Sequence, residues 1–480
     1  MQSIIYLCIE KQVMTIDTVI SGGTLVTSRN TLSSDLAIDN GTIVGIGDKD
    51  CMPESEETID ASGLLVMPGV IDPHVHIDDH VSLDTYETAT SAAALGGVTT
   101  VIDFAWQSYV SEDSPWEEEK TLREGVTRKR EKGEKAFIDF GLHGGILRED
   151  PAIFDELASL VELGITSFKM YTTYEFGLSN GFIREILEEL QKVDAVGIAH
   201  TEDDSVCESL TAEFQAADRD EPVWLPAARP DYAEAMAADD VARLARETGT
   251  KYYGVHTSCR KAANALAQHQ HDGSLIRGET CTHYTTLTSD IYQELRNLPK
   301  IAPPLRTGND NDAMFEYLRN GTLSVVSTDH VAQTRERKEA SEWWEDPFGA
   351  NSLQASLPVF HDEAVNKRGF SYPSLVRLMC TNPAQTFGLP KKGTLEPGTD
   401  ADIVLFDPDE KYTISAQDNA SVADYTIYED REVSGKVKRT YLRGELIASE
   451  GEIIGKPGYG EFVRREQPTW DDDYTTAISS

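Results

Sequence analysis

The stretch PGVIDPHVHIDDH, residues 68–80, places His74 and His76 one residue apart at the end of an apolar run. In a β-strand, residues i and i+2 point to the same side, so both imidazoles face the same way where the strand ends. Two such histidines, taken alone, are ordinary surface residues. The rest of the chain decides between that interpretation and a shared site.

Seven further apolar runs alternate with helix-like segments between residues 67 and 394. The eight predicted strands are residues 70–77, 98–105, 136–144, 165–174, 196–202, 251–258, 277–287 and 323–330. Helical periodicity is clearest in residues 152–164, 180–193 and 233–249. Eight strands alternating with helices predict an α/β fold, a (β/α)8 TIM-like barrel.

Short β-rich runs occupy both ends of the chain, at residues 14–66 and 395–460, with Gly-Gly and Asn-Gly turn signals. We expect these terminal segments to form one small β-sandwich domain into which the barrel, residues 67–394, is inserted. Residues 333–351 and the C-terminal tail, 461–480, have the character of linkers. We expect residues 1–13 to be an extension outside the fold and not a signal peptide.

The charge is unusual: 82 acidic residues stand against 43 basic ones, a net charge of −39 spread along the chain. Such an excess repels nucleic acid and anionic membranes, and predicts the surface of a halophile's protein. No run approaches the roughly 18 apolar residues of a membrane span. We therefore expect no nucleic-acid or membrane partner.

The six cysteines are scattered and form no CxxC pair. This spacing argues against a disulfide framework and against a cysteine zinc site. It is typical of a protein of the reducing cytoplasm.

Polar residues lie at the predicted strand ends, where barrels of this kind build their active sites. They are His74, His76, Lys169, His200, His256 and Asp329. Neutral imidazoles and a carboxylate are common ligands of divalent zinc. Because four of the eleven histidines occupy such ends, a metal site is favoured over four unrelated loop histidines.

Lys169 is the exception in this set, because metal cations repel an ammonium group. A surface ion pair or a side chain reaching from the strand end to water is the ordinary alternative. Its apolar context, SFKMY, favours burial, which is costly for a charged lysine. Reaction with CO₂ would convert the amine into an anionic carbamate with two oxygens; this is chemically plausible and does not follow from the spacing.

An ordered series of motifs resembles the dihydropyrimidinase/hydantoinase family of cyclic amidohydrolases, within the amidohydrolase superfamily. The resemblance runs from about residue 15 to 462. The motifs are DPHVHI, SFKMYTTY, AHTEDD, VHTSC, GETCTHYTTLT, KIAPPLR, VSTDH, TNPAQTFGL and KGTLEPGTDADIVLFDP.

The resemblance implies a binuclear zinc centre. His74 and His76 would hold one metal together with Asp329, His200 and His256 would hold the second, and a carboxylated Lys169 would bridge both. A hydroxide between the metals would be the nucleophile.

The family also implies roles in the chemistry. Asp329 would accept a proton from the nucleophile and pass it to the leaving ring nitrogen. Tyr174 matches an oxyanion-stabilising tyrosine; an ordinary aromatic at the barrel rim is the less favoured alternative. The product would be an N-carbamoyl amino acid, and the assembly a homotetramer.

Two local sequences depart from the usual hydantoinase pattern. Ala302 stands where the family usually has serine, and Phe348, in PFGAN, where an Asn-Gly stretch is usual. Backbone groups at both places would contact the substrate. These segments look closer to allantoinases, so hydrolysis of allantoin is the alternative. Tyr174 and residues 101–107 and 424–429 favour the hydantoinase or dihydropyrimidinase activity.

Two further classes of protein fit the sequence less well. Some relatives of dihydropyrimidinase are non-enzymatic scaffolds that have lost metal ligands, but all six ligand positions are filled here. Deamination, another reaction of the superfamily, normally uses one metal and no bridging lysine, so Lys169 counts against it. The ring that is opened depends on loops whose shapes the sequence does not define.

Overall fold

Eight parallel strands follow one another around a barrel, in chain order, in this computed structural model. The structure describes residues 15–108, 110, 116, 118–339, 342–468 and 470, so the expected extension, residues 1–13, lies outside the described part. The barrel strands are Val70–His76, Val98–Trp106, Asp139–Gly145, Ser167–Tyr171, Val196–His200, Lys251–Gly254, Ile276–Cys281 and an eighth strand in two pieces, Leu323–Ser327 and His330–Val331.

The break in the eighth strand closes the barrel. After Thr328 and Asp329, the second piece pairs in parallel with the first barrel strand, with Val331 opposite His76. The predicted TIM-like barrel is confirmed. Closure brings the ends of strands 1 and 8, which are far apart in sequence, next to each other.

Helices cover the outside of the barrel because each has an apolar face. In Asn180–Lys192 the buried residues recur at helical spacing, from Phe182 to Leu190, and the Ser179 hydroxyl accepts the Phe182 N–H at the helix start. The helices are Tyr86–Leu95, Leu122–Lys132, Ile153–Glu162, Asn180–Lys192, Asp204–Ala216, Leu225–Ala228, Asp231–Thr248, Arg260–His271, Thr282–Thr286, Tyr292–Leu295, Gly308–Asn320, Arg335–Lys338, Ser356–His361, Tyr372–Val376 and Asn382–Phe387.

Strands from the two terminal segments of the chain form two further β-sheets, as expected. One sheet contains Ile16–Ser21, Asp35–Asp39, Thr42–Gly47 and Ser55–Asp60. The other contains Thr24–Val26, Thr31–Ser33, Leu65–Pro68, Ile403–Thr413, Glu432–Leu442, Glu445–Ser449 and Glu452–Ile453. Ile403 pairs with Pro68 across the N- and C-terminal segments, and apolar residues of both sheets share one core. The domain boundaries themselves stay a prediction.

The described residues of the segment, 333–339 and 342–351, do not form an exposed linker, and that expectation was wrong. Lys338 and Trp343 are buried, and Phe348 faces the large cavity described below. The charged composition suggested an exposed connection, but the alkyl and aromatic parts of these side chains pack against the barrel. Residues 461–468 also contact the barrel: Phe140 N–H donates to the Glu461 carbonyl at 3.0 Å, and Arg465 is buried.

Two smaller expectations concern cysteines and membranes. The five described cysteines, Cys51, Cys207, Cys259, Cys281 and Cys380, are all free thiols. Within the described ranges, none of the helices combines the length and apolar character needed to span a bilayer.

Candidate active site

A cavity of about 350 Å³ opens at the C-terminal ends of the barrel strands. The structure brings all nine residues singled out in the sequence to its lining: His74, His76, Lys169, Tyr174, His200, His256, Ala302, Asp329 and Phe348. The prediction that these strand ends share one site is therefore realised in the geometry. Their individual roles stay predictions.

His74 and His76 converge on one carboxylate. Their Nε2 atoms lie 3.1 and 3.2 Å from the same oxygen, Oδ1 of Asp329. Both histidines are buried, and His74 Nε2 has no hydrogen-bond partner among the described residues. Burial alone would raise the pKa of Asp329, but the two facing imidazoles hold it well below its usual value.

Glu279 fixes the orientation of this pair and was missed in the sequence. It lies on the seventh barrel strand, fully buried, and its Oε1 is 2.8 Å from His74 Nδ1. The same carboxylate accepts the His256 backbone N–H at 2.9 Å and the Tyr253 hydroxyl at 2.8 Å. A carboxylate on Nδ1 leaves Nε2 of His74 as the free nitrogen. The available signal was an acidic residue inside a predicted strand.

His200 and His256 form the other side of the site, with ring centres 4.6 Å apart. Burial lowers the pKa of both imidazoles, so both are neutral near pH 7, the form that can bind a metal. His200 Nε2 lies 2.8 Å from a Glu202 carboxylate oxygen, so Nδ1 is the ring nitrogen that does not contact Glu202. Glu202 in turn is held by Arg229, with Nη2 at 2.7 Å.

Lys169 lies between the two histidine pairs and is 1% exposed. Burial lowers the pKa of its amine to about 8, an effect that the negative charges of Asp329 and Glu279 offset only in part. Among the described residues, none forms an ion pair or a hydrogen bond with its Nζ. The snorkelling and surface-ion-pair alternatives are thus removed, and a substantial fraction of the amine is neutral near pH 8.

Tyr174 stands at the rim, next to the histidines. Its ring centre is 5.4 Å from that of His200, and the Arg229 guanidinium carbon lies 5.1 Å from the Tyr174 ring. Burial raises the pKa of the phenol, although Arg229 opposes this effect, so the hydroxyl keeps its proton and can donate it. The Tyr174 backbone N–H donates to Asp204 at 2.9 Å, which holds the turn.

Three site residues adopt left-handed backbone conformations that are rare outside glycine: Tyr174 at φ +71°, His256 at +37° and Asp329 at +47°. Such conformations persist where the surrounding structure imposes them, and they gather at functional sites. Here they redirect side chains from the strand ends into the cavity.

The remaining wall is apolar. Beside Ala302 and Phe348 it contains Trp106, Trp116, Leu147, Tyr171 and Phe176. Polar side chains also line the cavity outside the proposed metal site, among them Asp79, Gln333 and Arg337. The cavity thus combines a polar floor with an aromatic side.

The donor set fits divalent cations. Ligand atoms of His74, His76 and Asp329 lie within 4.8 Å of one another, and buried imidazole nitrogens without partners are what a bound metal would satisfy. In a second cluster, the carboxylate oxygens of Asp139, Asp400 and Asp402 also lie within 4.8 Å of one another. Lys392 already occupies its centre, with Nζ 2.7–3.1 Å from all three carboxylates, so it is an ion-pair network.

Comparison with known proteins gives one consistent picture. The model of the amidohydrolase family matches residues 65–447. The D-hydantoinase of Ralstonia pickettii is 32% identical over 466 residues, covering 94% of this chain and 99% of that protein. An allantoinase of Salmonella choleraesuis is 30% identical over 469 residues, covering 95% and 100%. The crystal structure of dihydropyrimidinase from Brevibacillus agri matches with a TM-score of 0.89 at 30% identity, covering 95% of this chain and 100% of that one.

Proposed function

The chain belongs to the amidohydrolase family, and we propose that it hydrolyses a cyclic amide, a dihydropyrimidine or hydantoin ring, to an N-carbamoyl amino acid. The observation that carries the proposal is the convergence of His74 and His76 on Asp329, with Lys169, His200 and His256 lining the same cavity. A scaffold protein has no need for such a buried set of metal-ligand side chains around one cavity.

The proposed metal site uses six residues. His74, His76 and Asp329 would hold one divalent ion, His200 and His256 a second, and Lys169, as its carbamate, would contribute to both. The ions, which we take to be zinc, would polarise the amide carbonyl and lower the pKa of water from about 15.7 to near 7. Glu279 and Glu202 orient His74 and His200 for this task through their second ring nitrogens.

Lys169 is suited to carboxylation because its buried amine loses its proton near pH 8. The ammonium first loses one proton; the neutral nitrogen then attacks CO₂, a C–N bond forms as one C=O double bond opens, and a second proton leaves. Two protons are thus released in converting the lysine cation into a carbamate anion. Two divalent ions would neutralise this buried anion, whereas the unmodified lysine has no counter-charge at ion-pair distance among the described residues.

Asp329 is suited to move the proton. Its lowered pKa keeps it ionised, so it can accept a proton from water, and it lies at the mouth of the eighth strand between the histidines and the cavity. The same group then delivers the proton to the ring nitrogen as the amide bond breaks. Tyr174, protonated at its hydroxyl, would donate a hydrogen bond to the oxygen that becomes negatively charged.

Allantoin is the second candidate substrate. Allantoinase relatives match the chain at 30% identity, and Ala302 and Phe348 occupy the two departures from the hydantoinase pattern. The aromatic wall favours a ring with an apolar substituent, because allantoin would place its polar ureido group against that wall and leave it without hydrogen-bond partners.

A hydrolysis panel tests the proposal: dihydrouracil, dihydrothymine, hydantoin, 5-substituted hydantoins, allantoin and dihydroorotate. We expect the highest kcat/KM for a dihydropyrimidine or a 5-substituted hydantoin, and close to two divalent ions per chain by elemental analysis. Preference for allantoin would change the proposed substrate and leave the proposed metal site unaffected. Full activity in a metal-free protein would overturn the mechanism.

The proposal extends to assembly and location. We propose a homotetramer, as the family resemblance implies, and a reducing cytoplasm, which the free cysteines suit. Light scattering during size-exclusion chromatography measures the assembly: a monomer at micromolar concentration would exclude the tetramer.

A further inference from the structure

Behind the cavity wall, a buried ammonium group is surrounded by backbone carbonyls. Lys338 Nζ donates to the carbonyl oxygens of Lys300, Pro347 and Gly349 at 2.8, 3.0 and 2.8 Å. Lys338 is fully buried, and no carboxylate among the described residues forms an ion pair with it. Burial and the neighbouring Lys300 lower the pKa of the Lys338 amine well below its usual value. The contacts nevertheless favour the ammonium, because three acceptors match its three N–H groups and would leave the lone pair of a neutral amine facing an oxygen.

The three acceptors belong to the cavity wall or adjoin it. Pro347 and Gly349 line the cavity themselves, and Lys300 directly precedes Ile301 and Ala302, which also line it. The Gly349 N–H donates to the same Lys300 carbonyl at 2.9 Å. Lys338 therefore ties together two wall segments that are about 45 residues apart, 300–302 and 347–349.

Lys300 supports the same wall from the other side. Its Nζ donates to the Asp346 carbonyl and lies 4.1 Å from the centre of the Phe348 ring, within range of a cation–π interaction. Asn297 holds the Asp346 carboxylate at 2.6 Å. Phe348 is thus held from behind while its other side faces the cavity.

The backbone around Gly349 has little freedom to take another path. Gly349 has φ +110°, and a Cβ there would lie 2.3 Å from Val331 Cβ. Val331 N–H also donates to the Ala350 carbonyl at 3.1 Å. This hydrogen bond fixes one side of the segment to the eighth barrel strand. The hydrogen bonds between Lys338 and the carbonyls then determine the position of the Pro347–Gly349 backbone.

We propose that Lys338 is a positioning residue for substrate binding: its ammonium holds the 300–302 and 347–349 segments in the arrangement that receives the ring. This inference rests on the proposed function for what is bound, and on the carbonyl contacts for how the wall is held. Replacing Lys338 with a neutral side chain would remove a donor from three carbonyls, of which that of Lys300 keeps the Gly349 N–H, and the wall would move to satisfy the others.

The test compares Lys338→Met, which keeps a linear side chain but loses the charge, with Lys338→Arg and the control Lys251→Met. Lys251 is also a buried lysine, but it begins the sixth strand at the opposite end of the barrel and contacts Asp194 and Pro468. For Lys338→Met we expect KM to rise about tenfold with kcat changed less than about threefold, and Lys338→Arg to restore part of the KM. Lys251→Met should leave KM unchanged.

Hydrogen exchange supplies a readout that does not depend on activity. The Gly349 amide should exchange faster in Lys338→Met than in the wild type, while metal content per chain stays the same. A KM within twofold of wild type, or unchanged exchange at residues 347–349, would overturn the inference.

Lys300→Met keeps the inference testable if Lys338→Met fails to fold. It should raise KM by about threefold and accelerate exchange at Phe348, because Phe348 and the Asp346 carbonyl lose the amine that contacts both; no change in either would count against the held wall. If the wild type hydrolyses no cyclic amide, the proposed function fails, and the exchange data alone decide whether Lys338 fixes the loop.

Discussion

Lys169 and Lys392 are both buried, yet they lie in opposite electrostatic surroundings at the two ends of the barrel. Lys392 has three carboxylates within 3.1 Å, from Asp139, Asp400 and Asp402. Lys169 has none at ion-pair distance among the described residues. The same type of side chain thus forms ion pairs at one end of the barrel and has no ion-pair partner among the described residues at the other.

The consequence is visible in their protonation. Burial lowers the pKa of a lysine, but Asp402 and Asp139 outweigh this effect at Lys392 and raise its pKa. At Lys169 burial prevails and the pKa falls to about 8. Lys392 is therefore a permanent cation that joins the barrel to the β-sandwich, whereas Lys169 is available for chemistry. Both ends of the barrel contain a cluster of side chains that could bind a metal. The two lysines differ because Lys392 has carboxylates at ion-pair distance and Lys169, among the described residues, has none.

The largest expected effect separates the two lysines directly. Lys169→Ala should lower kcat/KM by about a thousandfold or more, because it removes the proposed metal bridge, with little loss of stability since no ion pair is broken. Steady-state kinetics and metal content measure this, and small carboxylic acids should restore part of the activity. Unchanged turnover would show that Lys169 is not a ligand.

Lys392→Met is the matched control and should behave in the opposite way. Lys392→Met would remove the cation from Asp139, Asp400 and Asp402, of which Asp139 and Asp402 are buried and Asp139 keeps Arg443 as a partner. Leaving the buried Asp402 without its cation should cost about 3–5 kcal/mol of unfolding free energy. Activity per folded molecule should remain close to wild type, as measured after active-site titration or at low temperature. Loss of activity without loss of stability would break the comparison.

Tyr174→Phe should have the next largest effect on activity. Removing one donor to a developing oxyanion lowers kcat by about a hundredfold, with KM nearly constant. Kinetics with the best panel substrate measures the split between kcat and KM. A rise in KM with normal kcat would instead make Tyr174 an ordinary aromatic of the rim.

The pH dependence of carboxylation sharpens the contrast between the lysines further. At a fixed concentration of dissolved CO₂, the rate of Lys169 carboxylation in the metal-free protein should rise about tenfold per pH unit below 8 and level off above it, because only the neutral amine reacts. Uptake of isotopically labelled CO₂ measures the rate, with Lys169→Ala as the blank. A rate that still rises steeply above pH 9 would mean that burial does not lower this pKa.

The smallest effect concerns neither cluster. If the net charge of −39 belongs to a salt-adapted surface, unfolding free energy should rise from low to molar salt. Wild type and Lys392→Met should show the same salt slope, because buried pairs are screened little. Greatest stability at low salt would contradict the halophile prediction, which so far rests on composition alone.

Much of the fold and part of the site could be predicted because the signals are local. The alternation of apolar strands and helices over residues 67–394 gave the barrel, and each of the six expected ligands lies at or next to a strand end. Residues 333–351 misled, because charge-rich composition does not reveal that Lys338 and Trp343 are buried.

The sequence by itself determined which side chains reach the C-terminal end of the barrel, since strand periodicity and strand order fix that placement. Only the tertiary structure decided how they are held. Glu279 meets His74 across 205 residues, and Lys338 meets its carbonyls only after the loops fold. A buried group's role depends on which partners surround it, and those partners come from distant parts of the chain.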